Sequence, residues 1–534
     1  MQRPLRSNFE RGSAAWALRR AQWLALGLSD ADMEKPKIAV VNTSSDLASC
    51  FIHLDGVAAV VKQAVRAGGG LPLEIRTAAP ADFIQAAGRR GSYRIPSQDL
   101  IARDIEAQVE GAQLDGMVVL ASCEKTTPGQ LLATARLDIP AIVVCCGYQP
   151  AGEWRGDPND VGRLLLAAGH HAAGALPLSE LEGMSATAIR GPGACAGLGA
   201  ANALHIVAEA LGLSLPGSAP VLANSPRMFD LARRSGTQIM RLVSDDIRPR
   251  AILTEAAFAN AVMALMAVAG PPGCLRLLGA LAREAGITAD PRRLLEQAMD
   301  RVPVLAAIRP IGSLRTEALE AAGGTMAVLK RLESLLHGET LTVTGRSMGE
   351  EVAAAEVADE AVVRPLDRPL SPRPGIVLLR GSLCPGGGLV RPALGAGQPV
   401  RFAGRARCFT RVEDAMAGLR GGVIRAGDVV VLRGSGSDGG VVVSPLVFAL
   451  DGAGLAGDVA VVTDGHVSGL ASKGLVMAEV APDAAAGGPI GLIEDGDRIE
   501  INLEARRAEL RVDAAELDAR RARLPPHGAQ PAAR

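Results

Sequence analysis

The order of apolar runs in the first third of this chain does most to limit its fold. Residues 37–42 (KIAVVN), 116–121 (GMVVLA) and 139–145 (IPAIVVC) are short and unbroken, and helical stretches at 53–67 and 100–110 fall between them. Strands buried on both faces read as continuous apolar runs, and repeated strand–loop–helix units build a parallel sheet covered by helices. Ligands of such sheets bind at the carboxyl ends of the strands. Cys50 follows the loop after the first run, and Cys123 lies just past the second. Both stand where chemistry is expected.

A chain of 534 residues exceeds what one core usually holds. A mostly helical middle runs over 191–355, with helices expected at 202–211, 256–269 and 291–301. In residues 364–375 (RPLDRPLSPRPG), Pro365, Pro369, Pro372 and Pro374 prevent a helix or central strand, so a linker or strap is expected. Short β runs follow at 375–379, 429–432, 457–463 and 498–502, separated by Gly and Asp. The expected fold class is α/β. It comprises an N-terminal parallel-sheet domain with a helical middle (1–361), a Pro-rich linker (362–374), a smaller β-rich, barrel-like domain (375–524) and a disordered tail (525–534).

Charge and composition exclude several functions. The 56 basic and 57 acidic side chains leave a formal net charge of −1, and aromatic residues make up 2%. Neither a broad positive field nor a base-stacking platform is available, so no nucleic-acid partner is expected. The longest apolar stretch, 256–270, is too short to span a bilayer and runs into Pro271-Pro272. The Arg-rich first twenty residues hold no apolar run of a secretory signal. A cytoplasmic protein without membrane partners is expected, its eight cysteines reduced. They form no CxxC pair, which removes zinc-ribbon and thioredoxin-type readings.

Two segments carry chemistry. Cys123-Glu124-Lys125-Thr126-Thr127-Pro128-Gly129 sets a soft thiol, a hard carboxylate and an amine side by side at a strand end. Residues 191–199 place Cys195 in a glycine-rich turn entering a helix. A helix N-terminus there suits phosphate, while the cysteine suits a metal centre. Cys50, Cys123 and Cys195, each at the end of an element, could hold three irons of an iron–sulfur cluster and leave a further iron open. His170 and His171 read as helix surface and His205 as a core histidine. Cys145, Cys146, Cys274, Cys384 and Cys408 read as packing.

Over nearly its whole length the chain resembles the family of dihydroxy-acid dehydratases, 6-phosphogluconate dehydratase and the sugar-acid dehydratases. The resemblance rests on Cys50-Phe-Ile-His53-Leu54, Cys123-Glu124-Lys125-Thr-Thr-Pro128-Gly129 and Cys195-Ala-Gly-Leu-Gly-Ala-Ala-Asn202. It continues in Thr342-Val-Thr-Gly345 with Glu350, Ala426-Gly-Asp-Val-Val-Val431, Thr463-Asp-Gly465 with Ser468-Gly469, and Gly487-Gly488-Pro489. It implies a hydro-lyase that removes water from a 2,3-dihydroxy carboxylic acid, branched-chain or sugar acid, to give a 2-keto acid. Cys50, Cys123 and Cys195 are then the ligands of a [2Fe-2S] or [4Fe-4S] cluster acting as Lewis acid, with His53 beside it. Asp82, Glu124 and Lys125, free or carbamylated, match Mg²⁺ ligands, and Ser468 matches the base that takes the C2 proton. Asn260 and His466 fall at substrate-contact positions, the substrate being a small hydroxy acid and the enzyme a homodimer.

The chain departs from the family at several points. Glu124 stands where the family has Asp. A family Glu that is a further Mg²⁺ ligand is missing at Ser444-Pro445-Leu446. Thr463-Asp-Gly-His466-Val467-Ser468-Gly469 replaces Thr-Asp-Gly-Arg-Phe-Ser-Gly, and Ala478-Glu479-Val480 replaces Gly-His-Val. The cluster half of the motif set is intact and the Mg²⁺ half is rewritten. A catalytically impaired, cluster-binding homologue is therefore the alternative.

Overall fold

Four parallel strands organise the N-terminal region: β1 (Lys37–Asn42), β2 (Leu71–Arg76), β3 (Gly116–Ala121) and β4 (Ala141–Cys145), in the order β2-β1-β3-β4. Residues 4–81, 96–394, 400–434, 436 and 443–523 are those this computed structural model describes. Every residue of β1, β3 and β4 is buried, which is why their sequences run apolar without alternating. Helices α1 (Leu54–Ala67), α2 (Pro96–Gly111) and α3 (Thr127–Leu137) connect them, and α4 (Val161–Ala172) follows.

The helical middle holds α5 (Ala200–Ala210), α6 (Pro226–Asp245) and α7 (Glu255–Ala267). Ser225 caps α6 by accepting Met228 N–H, with Pro226 in its first turn. Thr254 caps α7, whose apolar length is buried in the core rather than in lipid. Among the described residues, no helix is long and apolar enough to cross a membrane. The proline-rich segment is a strap: Arg364 N–H bonds Leu305 O at 2.9 Å, and Leu370 N–H bonds Val304 O at 2.9 Å.

The C-terminal region is built on an eight-stranded sheet. Its strands are β5 (Val377–Leu379), β6 (Gly387–Val390), β7 (Arg401–Phe409), β8 (Asp428–Leu432), β9 (Ala460–Thr463), β10 (Leu475–Ala481), β11 (Arg498–Asn502) and β12 (Arg507–Leu510), in the order β12-β11-β7-β8-β9-β10-β6-β5. Parallel pairing of Arg380, just past β5, with Arg507 of β12 brings the two edges together, so the sheet is nearly a barrel. Strands β7 to β10 are parallel, and crossovers between parallel strands usually run through helices, as two of the three do here. These are α8 (Val412–Arg420) and α9 (Ser444–Gly452). Both helices belong to this β-rich region, in which mostly strands are expected, and α9 packs on α4 of the N-terminal region.

Candidate active site

The two sheets present strand ends to one another. Past β1 and β3, the loops carrying Cys50 and Cys123 meet: Ser122 Oγ donates to Cys50 O at 2.6 Å. The Cys123 thiol is hydrogen-bonded to that of Cys50. This bond, then burial and the negative charge of Cys50 and Glu124, drive Cys123 well above the ordinary thiol range. The third loop joins the first through Gly193 N–H, which donates to Ser49 O at 3.2 Å. Asn202 on α5 holds the Cys195 turn by donating to Cys195 O and Gly197 O, each at 2.8 Å. Glycine is needed at Gly193, whose φ is +114° and whose absent Cβ would press on the backbone of Tyr148 and Gln149.

Cys123 O accepts Thr127 N–H at 3.0 Å, closing the turn that opens α3. Glu124 and Lys125 lie in that turn, 3.5 Å apart between Nζ and Oε1, and Lys125 is buried. Gly129 serves packing: a Cβ there would stand 2.6 Å from Gln98 O and 2.7 Å from Ile101 Cβ, so α3 lies directly on α2.

Beyond the end of β9, Ser468 faces the same space. One cavity is lined by Glu124 and Lys125 from the first region, and by His466, Ser468 and Gly469 from the second. Ser468 N–H donates to Ser444 Oγ at 2.8 Å. His466 is paired with Glu479, Nδ1 to Oε1 at 3.0 Å. Arg391 spans the two regions, donating Nε to Ala269 O at 2.7 Å and Nη1 to Gly469 O at 2.5 Å.

The structure thus brings Cys50 to Cys123, and Glu124, Lys125, His466 and Ser468 to one cavity, while Asp82 lies outside the described residues. Asn260 is not part of it. Its amide donates to His337 O at 3.0 Å and accepts His337 N–H at 2.9 Å, which ties α7 to the loop before Thr340. His170 contacts the second region, with Nε2 at 2.8 Å from Asp451 Oδ2. His205 is buried as expected, yet its Nε2 has no partner among the described residues, and burial brings it down to about 4. His53 bonds Cys146 O at 2.8 Å. Cys274 is packed and also lines the cavity, as does Arg276; neither carries a motif that marks it. Ser444 had a signal, since Ser-Pro commonly opens a helix.

A thiol-held cluster fits these residues: two thiols touch in a buried site, and a third stands on a loop bonded to the first. Among the described residues, no three His, Cys, Asp or Glu side chains form a ready-made site for a single ion. The hard donors described here are Glu124 and Lys125.

A fold of two α/β-type regions that meet in one cavity lined by Glu124, Lys125, Ser468 and Cys274 is that of an enzyme. The chain belongs to the dihydroxy-acid/6-phosphogluconate dehydratase family and is a hydro-lyase. The family's N-terminal model matches residues 35–351 and its C-terminal model residues 361–533. The chain is 40% identical over 526 residues to a dihydroxy-acid dehydratase of Ignicoccus hospitalis, covering 96% of this chain and 93% of that one. It is also 40% identical over 530 residues to one of Pyrococcus abyssi, covering 98% and 95%.

Proposed function

We propose that this enzyme removes water from a 2,3-dihydroxy carboxylic acid to give a 2-keto acid. The observation that carries this reading is the meeting of Glu124 and Lys125 with Ser468 in one cavity beside the Cys50–Cys123 pair. Cys50, Cys123 and Cys195 would hold the iron–sulfur cluster, and Glu124 with Asp82 and Lys125 the Mg²⁺. When bound, these supply Lewis acidity to the departing 3-hydroxyl and to the substrate carboxylate.

Ser468 Oγ takes the C2 proton. An ordinary serine hydroxyl is too weak a base, so its oxygen needs support for negative charge. Leu470 N–H donates to Ser468 Oγ at 3.2 Å, and the Mg²⁺ charge, when the ion is bound, would add to that support. Loss of the C2 proton and of the 3-hydroxyl as water leaves an enol, which gains a proton at C3 to become the keto acid.

Free cysteines throughout the described residues suit a reducing cytoplasm. A homodimer is supported by the helix at Ala14–Ala25, which buries none of its residues and leaves Leu18 69% exposed.

The test is anaerobic reconstitution with iron and sulfide, then an assay for 2-keto acid with Mg²⁺ across branched-chain dihydroxy acids and sugar acids. Turnover lost in Cys123→Ser and in Ser468→Ala supports the reading. A cluster that assembles without turnover on any acid replaces it with the impaired homologue, and no cluster at all defeats both.

A further inference from the structure

Glu479 and His466 form a buried pair in the wall of this cavity, 9% and 6% exposed. His466 lines the cavity holding Glu124, Lys125 and Ser468, and also an adjoining one whose walls include Arg276, Arg292 and Glu479. With Arg276 it stands between them, and its Nδ1 edge is the one turned to Glu479.

The backbone at Glu479 is out of the ordinary. Its φ is +53°, in the left-handed region. For a residue with a Cβ this region costs about 1–2 kcal/mol. The register of β10 against β6 shifts between Ala478 and Ala481, and such bulges re-aim a side chain. Glu479 N–H donates to Gly465 O at 3.0 Å, and Arg292 Nη2 donates to Glu479 O at 2.9 Å, so the conformation is held from two sides. Strained residues persist where the surroundings over-determine them, and they gather at functional sites. The result of this strain is a carboxylate against an imidazole. Burial alone would raise Glu479. The bond and charge of His466, with Arg292 and Arg276, outweigh it and hold Glu479 below the usual glutamate range.

We propose that Glu479 is a positioning residue: its carboxylate holds the proton on His466 Nδ1 and orients the ring so that Nε2 meets the carboxylate of the hydroxy acid beside Ser468. A carboxylate on one imidazole nitrogen fixes the tautomer, and with it what the other nitrogen offers. The guanidinium of Arg276 lines the same cavity, which suits an anion. The inference rests on the reading of this cavity as the acid-binding site.

The experiment is ¹⁵N NMR of histidine-labelled protein, whose seven histidines leave the His466 signal assignable by its loss in His466→Gln. Pyruvate is the probe and methyl pyruvate its uncharged control. Glu479→Gly and Glu479→Asn accept a left-handed backbone, so each removes or shortens the acid while relieving strain; Glu479→Gln keeps an acceptor oxygen. In the parent protein, His466 should show a protonated Nδ1 and shift with pyruvate but not with the ester. The Gly and Asn variants should show mixed tautomers and about tenfold weaker pyruvate binding, which is about 1.4 kcal/mol. Their KM for the acid should rise more than kcat falls, and Gln should recover most of the loss. An unchanged tautomer and unchanged pyruvate binding in the Gly and Asn variants overturn the proposal, as does a His466 signal indifferent to pyruvate. The spectra need no turnover, so absence of dehydration defeats the proposed function while the positioning role is decided separately.

Discussion

Ser444 Oγ accepts the backbone N–H of Ser468 at 2.8 Å, so the first residue of α9 holds the turn that carries the proposed base. The segment lacking the family's carboxylate still reaches the reacting end of the site, through a hydroxyl. Ser468→Ala should lower kcat by about 100-fold or more, the range expected for loss of a proton-transferring group. Ser444→Ala leaves a backbone donor without its acceptor, and about a tenfold fall in kcat is expected, with melting temperature lowered by the loss of about 1–3 kcal/mol. Steady-state 2-keto acid formation measures both. Equal effects from the two would contradict their different roles.

Arg391 links the regions from beneath. Its guanidinium bonds one carbonyl from each, Ala269 O and Gly469 O, and its Nη2 is buried with no partner among the described residues. Burial brings it down to about 9, against a small opposing effect of Cys274. Arg391→Met strands two carbonyls and should destabilise the protein by about 2–6 kcal/mol, at about 1–3 kcal/mol for each unsatisfied group. Differential scanning calorimetry should show a lower melting temperature, and Ser468-dependent turnover should fall with it.

Much of this was legible in the chain itself, for physical reasons that differ by element. Strands β1 and β3 were plain because burial on both faces leaves only apolar residues. Strand β7 was not: of its nine residues only Gly404 and Ala406 are buried, and arginines fill the alternate positions. Helix α9 hid behind the expectation of a β region, although Pro445 after Ser444 is a helix-start signal. Among site residues, Cys50 and Cys123 announced themselves by position at strand ends. The position of Asn260 within its motif said nothing of His337, which sits 77 residues away and satisfies its amide. The left-handed backbone of Glu479 has no local signal either, because tertiary contacts with Gly465 and Arg292 impose it.

Glu209 on α5 gives a dependence on pH. It is buried, and its two oxygens accept Gly217 N–H and Ala219 N–H, both at 2.6 Å. Burial outweighs these bonds and pushes Glu209 up to about 8. Between the unfolded glutamate pKa of about 4.3 and about 8, the native protein keeps a proton that the unfolded chain releases. Stability from this group is therefore full at the acid end and declines as pH rises through that window. Thermal unfolding between pH 5 and 8.5 should show this slope, and Glu209→Gln should remove it. The glutamine should also lower stability at every pH by about 1–3 kcal/mol, because its amide must face one backbone donor with another.

Two glycines separate packing from propensity near the Cys123-Glu124-Lys125 turn and the helix after Cys50. Gly129 follows Lys125 by one helical turn, where α3 lies on α2 so closely that a Cβ would come within 2.6 Å of Gln98 O and 2.7 Å of Ile101 Cβ. Gly56 lies on the exposed face of α1, and nothing stands within 4 Å of where its Cβ would be. Gly56→Ala should therefore stabilise by about 0.5–1 kcal/mol, the helical preference for alanine. Gly129→Ala must push α3 away from α2 and should cost about 1–3 kcal/mol, the usual effect of overpacking. The displacement starts at the turn holding Glu124 and Lys125, so kcat should fall in the Gly129 variant at temperatures where it remains folded. Circular dichroism melting and turnover, measured on both variants, decide the matter. A Gly129→Ala protein as stable and active as Gly56→Ala would show that the glycine of this motif does not set the distance between the helices.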